Sequence, residues 1–395
     1  LRRPRRLRHR LSMDPTHSER GTLLQINAMK TTGLESLRSV RPQASPFGFP
    51  RRLAILASIC LLLVSACELV LQRSVRAPEL TIEGTRQLTD DTFLYEYPAW
   101  SPDGMTIAVW RNTTNLGKFG PDDEGLELVL VDVSSGELKV ISGIGYANYP
   151  TWSPDGNELA VMTYRRPNEA DSNDGRFELG IFSTIDETWR LVRCDLCGHP
   201  SWLSDGTILV SANLGPDSSG QRQYGTARVD PITGSVFDER PYAGIDSNLD
   251  TTSPTGEVID MGGPFTATSD GTILLMTAMV DVDCDGIWVY ALDSEGPVPL
   301  IDSPDLNECD PALSKDETRI AYTTQLPSDS LPPTALIIAN SDGSAAVTLL
   351  EPARNLHIIR YPAWSPDGTQ IAFVYGDFQL SSPIYSTLYI VDIPP

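Results

Sequence analysis

The stretch YPAWSPDG occupies Tyr97–Gly104 and returns unchanged at Tyr361–Gly368. Degenerate copies lie between them: YPTWSPDG from Tyr149, HPSWLSDG from His199, PFTATSDG from Pro264 and CDPALSKDE from Cys309. Marked by their turn aspartates, Asp103, Asp155, Asp205, Asp270, Asp316 and Asp367, the copies follow one another at intervals of 52, 50, 65, 46 and 51 residues. A period near fifty is the signature of a propeller or a solenoid.

Each copy reads in the same order. An apolar stretch ending in Trp meets the turn, an apolar run such as Thr106 to Trp110 or Gln370 to Tyr375 follows, and after a polar loop comes a third run such as Leu126 to Val133 or Thr387 to Val391. The runs are short, rich in β-branched and aromatic residues, and bounded by Gly, Pro, Asp and Ser, so they read as strands. In Ser101-Pro102-Asp103-Gly104 the proline pre-sets φ, the aspartate bonds its own backbone and the glycine accepts a left-handed conformation, which makes a hairpin turn. Second hairpins are written at Asp132 to Glu137, Asp230 to Gly234 and Asp293 to Gly296. Four antiparallel strands repeated six times give an all-β, six-bladed β-propeller. The last unit stops after three strands, whereas Glu79 to Thr89 precedes the first copy with no unit of its own. Arg86 to Thr89 is therefore expected to fill the vacant edge of the sixth blade and close the ring.

The Pro-x-Trp-Ser-Pro-Asp-Gly repeat resembles that of the TolB-like propeller family, over about residues 80 to 395. The resemblance implies the fold. It leaves function open, because the same repeat occurs in envelope scaffolds, in peptidase propellers and in some polysaccharide lyases. The resemblance extends to proteins that carry an extra N-terminal α/β domain, and such a domain is not expected within residues 1–79.

Upstream, Leu53 to Ala66 is an apolar stretch after Arg51 and Arg52, too short for an ordinary membrane span and laid out like a secretory signal. Leu63 to Cys67 resembles a bacterial lipobox, with Cys67 as the lipidated residue. The chain divides into an extension at residues 1–50, disordered or mistranslated upstream of Met29, a signal segment at 51–67, a linker at 68–79 and the propeller at 80–395. The chain holds 30 basic and 52 acidic residues; residues 1–66 hold 12 and 3 of them, leaving 18 and 49 and a net charge of −31. A surface that acidic repels nucleic acid.

Short, regular turns are expected on one face of the ring and irregular loops on the other: Asn112 to Gly125, Arg165 to Gly175, Asn213 to Gly225 and Val280 to Gly286. Loops on a rigid scaffold are where binding usually sits. Asp281, Asp283 and Asp285 alternate before Gly286 as in a calcium loop, although Leu292 stands where an EF-hand would place its bidentate Glu. Ca²⁺ is thus the one cofactor the sequence suggests, with an acidic hairpin loop as the plainer alternative. Among the four cysteines past Cys67, Cys284 and Cys309 fall on one face of neighbouring blades and are expected to pair, and Cys194 with Cys197 to close a small ring. His199 and His357 are the histidines of the exported part, His199 at the repeat position of Tyr97. The repeated tryptophans and turn aspartates read as structural. The leading expectation is a monomeric propeller, tethered outside the cytoplasm by its lipid, that binds an envelope protein or glycan through its acidic loop face. The alternative is a metal-dependent polysaccharide lyase or hydrolase on the same scaffold.

Overall fold

The computed structural model describes residues 84–394 except 90–92, 114–124, 142–146, 166–175, 193–197, 217, 219, 221, 243–264, 281–282, 304–305, 326–333, 352–356 and 380–381. Among these residues every regular element is a strand, and no helix is long and apolar enough to cross a membrane.

The ring opens with a short strand, β1 (Thr85–Gln87). Blade 1 comprises β2 (Leu94–Trp100), β3 (Thr106–Asn112), β4 (Leu126–Asp132) and β5 (Leu138–Ile141). Blade 2 comprises β6 (Ala147–Trp152), β7 (Glu158–Arg165), β8 (Arg176–Ser183) and β9 (Trp189–Val192), and blade 3 β10 (Gly198–Trp202), β11 (Ile208–Pro216), β12 (Arg222–Val229) and β13 (Val236–Pro241). Blade 4 holds β14 (Phe265–Ala267), β15 (Ile273–Val280), β16 (Asp283–Ala291) and β17 (Val298–Ile301); blade 5 holds β18 (Asn307–Leu313), β19 (Arg319–Gln325), β20 (Thr334–Asn340) and β21 (Val347–Leu350). In blade 6, β22 (His357–Trp364), β23 (Gln370–Gln379) and β24 (Ser382–Asp392) are joined by β1 as the outermost strand.

All six sheets are four-stranded and antiparallel. The closing strand pairs Thr85 with Val391, Arg86 with Ile390 and Gln87 with Tyr389. Past it, the Leu88 amide donates to the Leu388 carbonyl at 2.8 Å, and Arg86 Nη2 donates to the Val133 carbonyl of blade 1 at 2.7 Å. Gly136 is held at φ 75° beneath this crossing, where a Cβ would stand 2.7 Å from the Leu88 carbonyl oxygen, so the position admits no side chain.

The core lies between blades rather than within one. Because strand side chains alternate, the continuous apolar run of β3 serves two interfaces at once. Ile107 and Val109 pack with Ala372, Val374 and Leu388 of blade 6, while Ala108 packs with Leu159 and Val161 of blade 2.

Two of the expected loops are more regular than the sequence suggests. The strands of Asn213 to Gly225 continue through Pro216 and resume at Arg222. In Val280 to Gly286, Val280 pairs with Asp283 and Met279 with Cys284, so the ladder reaches into the segment expected to be a loop. Backbone pairing prolonged past the apolar run explains both, since ladder hydrogen bonds do not require apolar side chains.

Candidate functional site: the tunnel and its turn-face mouth

The innermost strands β2, β6, β10, β14, β18 and β22 surround the tunnel. In five of them the register slips at the first residues of the repeat, between Glu96 and Ala99, Asn148 and Thr151, Gly198 and Ser201, Cys309 and Ala312, and Arg360 and Ala363. Each slip is a β-bulge carrying a residue of positive φ just before proline: Tyr97 (55°), Tyr149 (53°), His199 (36°), Asp310 (52°) and Tyr361 (54°). Proline supplies no amide to the ladder, so it is tolerated at a bulge, and the bulge re-aims the preceding side chain. The repeated Pro is therefore the local cause of a ring of aromatic and acidic side chains.

At this waist the rings of Tyr97 and Tyr149 lie 4.2 Å apart, those of Tyr97 and Tyr361 4.2 Å, and those of Tyr149 and His199 4.1 Å. The aromatic arc covers blades 6, 1, 2 and 3. In blade 5 the same position is Asp310, which takes Arg360 Nε at 2.9 Å and Nη2 at 3.3 Å, with Thr323 Oγ1 at 3.2 Å. The Arg360 guanidinium also sits 4.8 Å from the centre of the Tyr361 ring. Glu96 accepts a long 3.5 Å hydrogen bond from the Tyr361 hydroxyl, and among the described residues it has no ion-pair partner. Burial pushes the Glu96 carboxyl up to about 7, holds the phenols of Tyr97 and Tyr361 above their ordinary range and lowers the His199 imidazole to about 4. A cavity of about 160 Å³ lies here, lined by the aromatic arc, Asp310, Phe265 and the repeat prolines.

Towards the turns the tunnel widens into a depression of about 310 Å³. Its wall alternates tryptophan and proline (Trp100, Pro102, Trp152, Pro154, Trp364, Pro366) with hydroxyl-bearing positions such as Ser201, Ser204, Thr268 and Ser269. The indoles of Trp100, Trp152 and Trp364 each donate to the preceding blade, reaching Ala363, Ala99 and Ala312 carbonyls at 3.0, 3.0 and 3.1 Å. Trp202 bonds its own turn instead, at the Gly206 carbonyl. Lys315 and Glu317 bring the charge on this wall. Glu317 is engaged by the Ser269 amide at 2.7 Å, and Lys315 is exposed and, among the described residues, has no ion-pair partner.

The turn aspartates hold the turns. In Asp103, Asp155, Asp270, Asp316 and Asp367, Oδ1 accepts from the Ser or Thr hydroxyl two residues earlier and from the amide two residues later. The hydroxyl bond above all holds each carboxyl below its usual range. Asp205 has Leu203 in place of that hydroxyl and takes Thr207 and Arg228 instead.

Cys284 and Cys309 are joined by a disulfide with a Cα–Cα distance of 5.6 Å, which ties β16 of blade 4 to β18 of blade 5. The remaining predicted site residues are largely beyond view. Cys67, Cys194, Cys197 and Asp281 lie outside the described residues, as do most of the expected acidic loops, and of the Asp283 and Asp285 side chains nothing is described. Among the described residues no three metal-ligating groups converge. The waist cluster of Glu96, Asp310 and Arg360 was not read from the sequence. Its signal was the residue before each repeat proline, where Asp310 and His199 replace tyrosine.

No protein-family model matches the chain, and no curated protein matches it. Solved structures do. The structural neighbours include TolB-like propellers. TolB from Acinetobacter baumannii is 19% identical over 69% of this chain and 57% of its own, with a TM-score of 0.46, so the chain spans little more than half of that protein. The putative TolB of Agrobacterium tumefaciens is 15% identical over 78% and 94%, with a TM-score of 0.49. An oligogalacturonate lyase from Vibrio parahaemolyticus is 14% identical over 78% and 93%, with a TM-score of 0.44.

Proposed function

We propose that this chain is an extracytoplasmic binding module, held at the membrane by a lipid on Cys67, whose propeller receives an extended segment of an envelope protein at the turn-face mouth of its tunnel. The observation that carries the reading is the 310 Å³ depression there, walled by apolar rings and by hydroxyls on a rigid scaffold. Concave, mostly apolar sites with a few polar groups are where partners and ligands bind. The disulfide supports an oxidising compartment. The acidic loops stay a second contact surface in this reading, with Asp281, Asp283 and Asp285 as the place to seek Ca²⁺.

Capture from an envelope extract tests the docking face, with the chain carrying Ser204→Arg and Lys315→Glu, two exposed positions at the mouth. Loss of the partner supports the reading. Retention, with loss on neutralising Asp122, Asp123 and Glu124, moves the interface to the loop face, and release by glycan-degrading enzymes makes the partner a glycan. Cys67→Ala is expected to shift the protein from the membrane to the soluble fraction.

A further inference from the structure

The chemistry of the tunnel waist is unlike that of the mouth. Three tyrosines and His199 form a continuous aromatic arc around the 160 Å³ cavity. One of these rings already faces a cation, since the Arg360 guanidinium lies 4.8 Å from the Tyr361 centroid. That guanidinium is spent on Asp310 by two hydrogen bonds. Glu96, one hydroxyl away through Tyr361, is left without an ion-pair partner among the described residues. The waist thus joins aromatic rings to a buried carboxylate whose nearest cation, Arg360, acts on it only through space because its hydrogen bonds go to Asp310, in partial shelter from water. Such rings attract cations most strongly when both are desolvated.

We propose that the tunnel waist is a receptor site for an organic cation, the ammonium head of a lysine-like side chain. The aromatic arc holds the cationic head and Glu96 supplies the opposing charge. The site goes beyond the docking reading, because it lies deeper along the same strands and is occupied or empty whichever face a protein partner meets.

The facing groups give a defined pH response. Asp310 and Arg360 are paired, burial keeps Tyr97 and Tyr361 protonated, and His199 stays neutral above about pH 4. Glu96 is then the group that titrates between pH 5 and 9, near 7. A cation selects its ionised form, so affinity rises with pH through that value.

The test is calorimetric titration of the full chain with acetyl-Gly-Lys-Gly-amide and with the same peptide carrying norleucine, which keeps the alkyl stem and removes the charge. The lysine peptide is expected to bind about tenfold more tightly than its neutral counterpart. Glu96→Gln should abolish the rise in affinity with pH, and Tyr97→Leu should weaken binding where Tyr97→Phe preserves it. Glu96→Gln is close to isosteric, so it reads the site even if Tyr97→Leu fails to fold. Equal binding of both peptides, no binding of the lysine peptide at millimolar concentration, or an unchanged pH response in Glu96→Gln overturns the proposal. These outcomes are independent of partner capture, which reports on the mouth alone.

Discussion

Blades 6, 1 and 2 follow the repeat closely, whereas blades 3, 4 and 5 depart from it, and the departures are contiguous in space. In the first group Trp364, Trp100 and Trp152 line the mouth, with Pro366 and Pro102 packed near Gly104 and Gly156 of the next turn. In the second, Ala267 and Leu313 replace two of the tryptophans, and Ser204, Ser269 and Lys315 replace the prolines. Different contacts hold that half together. Ser204 donates its amide to the Ser269 carbonyl at 2.8 Å, Arg228 Nη2 reaches the Asp270 carbonyl at 2.6 Å, Glu317 takes the Ser269 amide, and the disulfide crosses from blade 4 to blade 5. The lesson is that a blade interface can be closed either by a repeated indole and proline or by individual polar and covalent links. The second solution leaves a polar arc in an otherwise apolar wall.

The largest expected effect lies in the regular half. Trp364 is buried, donates to Ala312 and is covered by the Arg319 guanidinium 4.6 Å from its ring. Trp364→Ala should cost about 3–5 kcal/mol in denaturant unfolding, and Leu313→Ala at the equivalent place in blade 5 about 2 kcal/mol; equal losses would erase the distinction. Next comes the acid that breaks the tyrosine pattern. Asp310→Ala leaves Arg360 unpaired in the tunnel and should cost about 3 kcal/mol, with Arg360→Met relieving part of the loss in the double variant.

Glu96 sharpens the comparison through pH. Its folded pKa stands above the unfolded value, so its favourable contribution is complete below about pH 4.5 and is lost as pH rises through about 7. Relative to Glu96→Gln, the parent chain should lose about 2 kcal/mol between pH 5 and 8, seen as a widening gap in melting temperature. His199 acts with the opposite sign: its depressed pKa removes stability as pH falls from about 6.5 towards 4. The smallest effect is at Glu317, which holds φ 61° where the other turns carry glycine. Glu317→Gly relieves about 1 kcal/mol of left-handed strain and forfeits the bond from Ser269, so a net change below about 1 kcal/mol is expected. A larger loss would mark that bond as the main tie between blades 4 and 5.

The ring, its blade number and its closure were legible in the sequence because a turn such as Ser101-Pro102-Asp103-Gly104 carries its geometry in four residues, and six copies set a period. The tryptophans and turn aspartates were legible for the same reason: recurrence at one position marks a structural role. The waist was not, because its members come from different repeats. Glu96, Asp310 and Arg360 are adjacent only once β2, β18 and β22 meet around the axis, and no local spacing links residues 96, 310 and 360. The reach of β11 past Asn213 to Pro216 and of β16 back to Asp283 was hidden as well, since turn-favouring Gly, Pro and Asp there obscure a backbone ladder that continues regardless.

The three-rung pairing of β1 with β24 also makes the ring mechanically polar. Tension applied at the amino end would fall first on the Thr85–Val391 rung and pass to the next two in turn, peeling them in sequence rather than shearing them together. The carboxyl end of β24 offers no such handle, because that strand is clamped between β1 and β23. Pulling experiments in a single-molecule instrument should therefore find a low-force opening from the amino side that leaves the other five sheets intact.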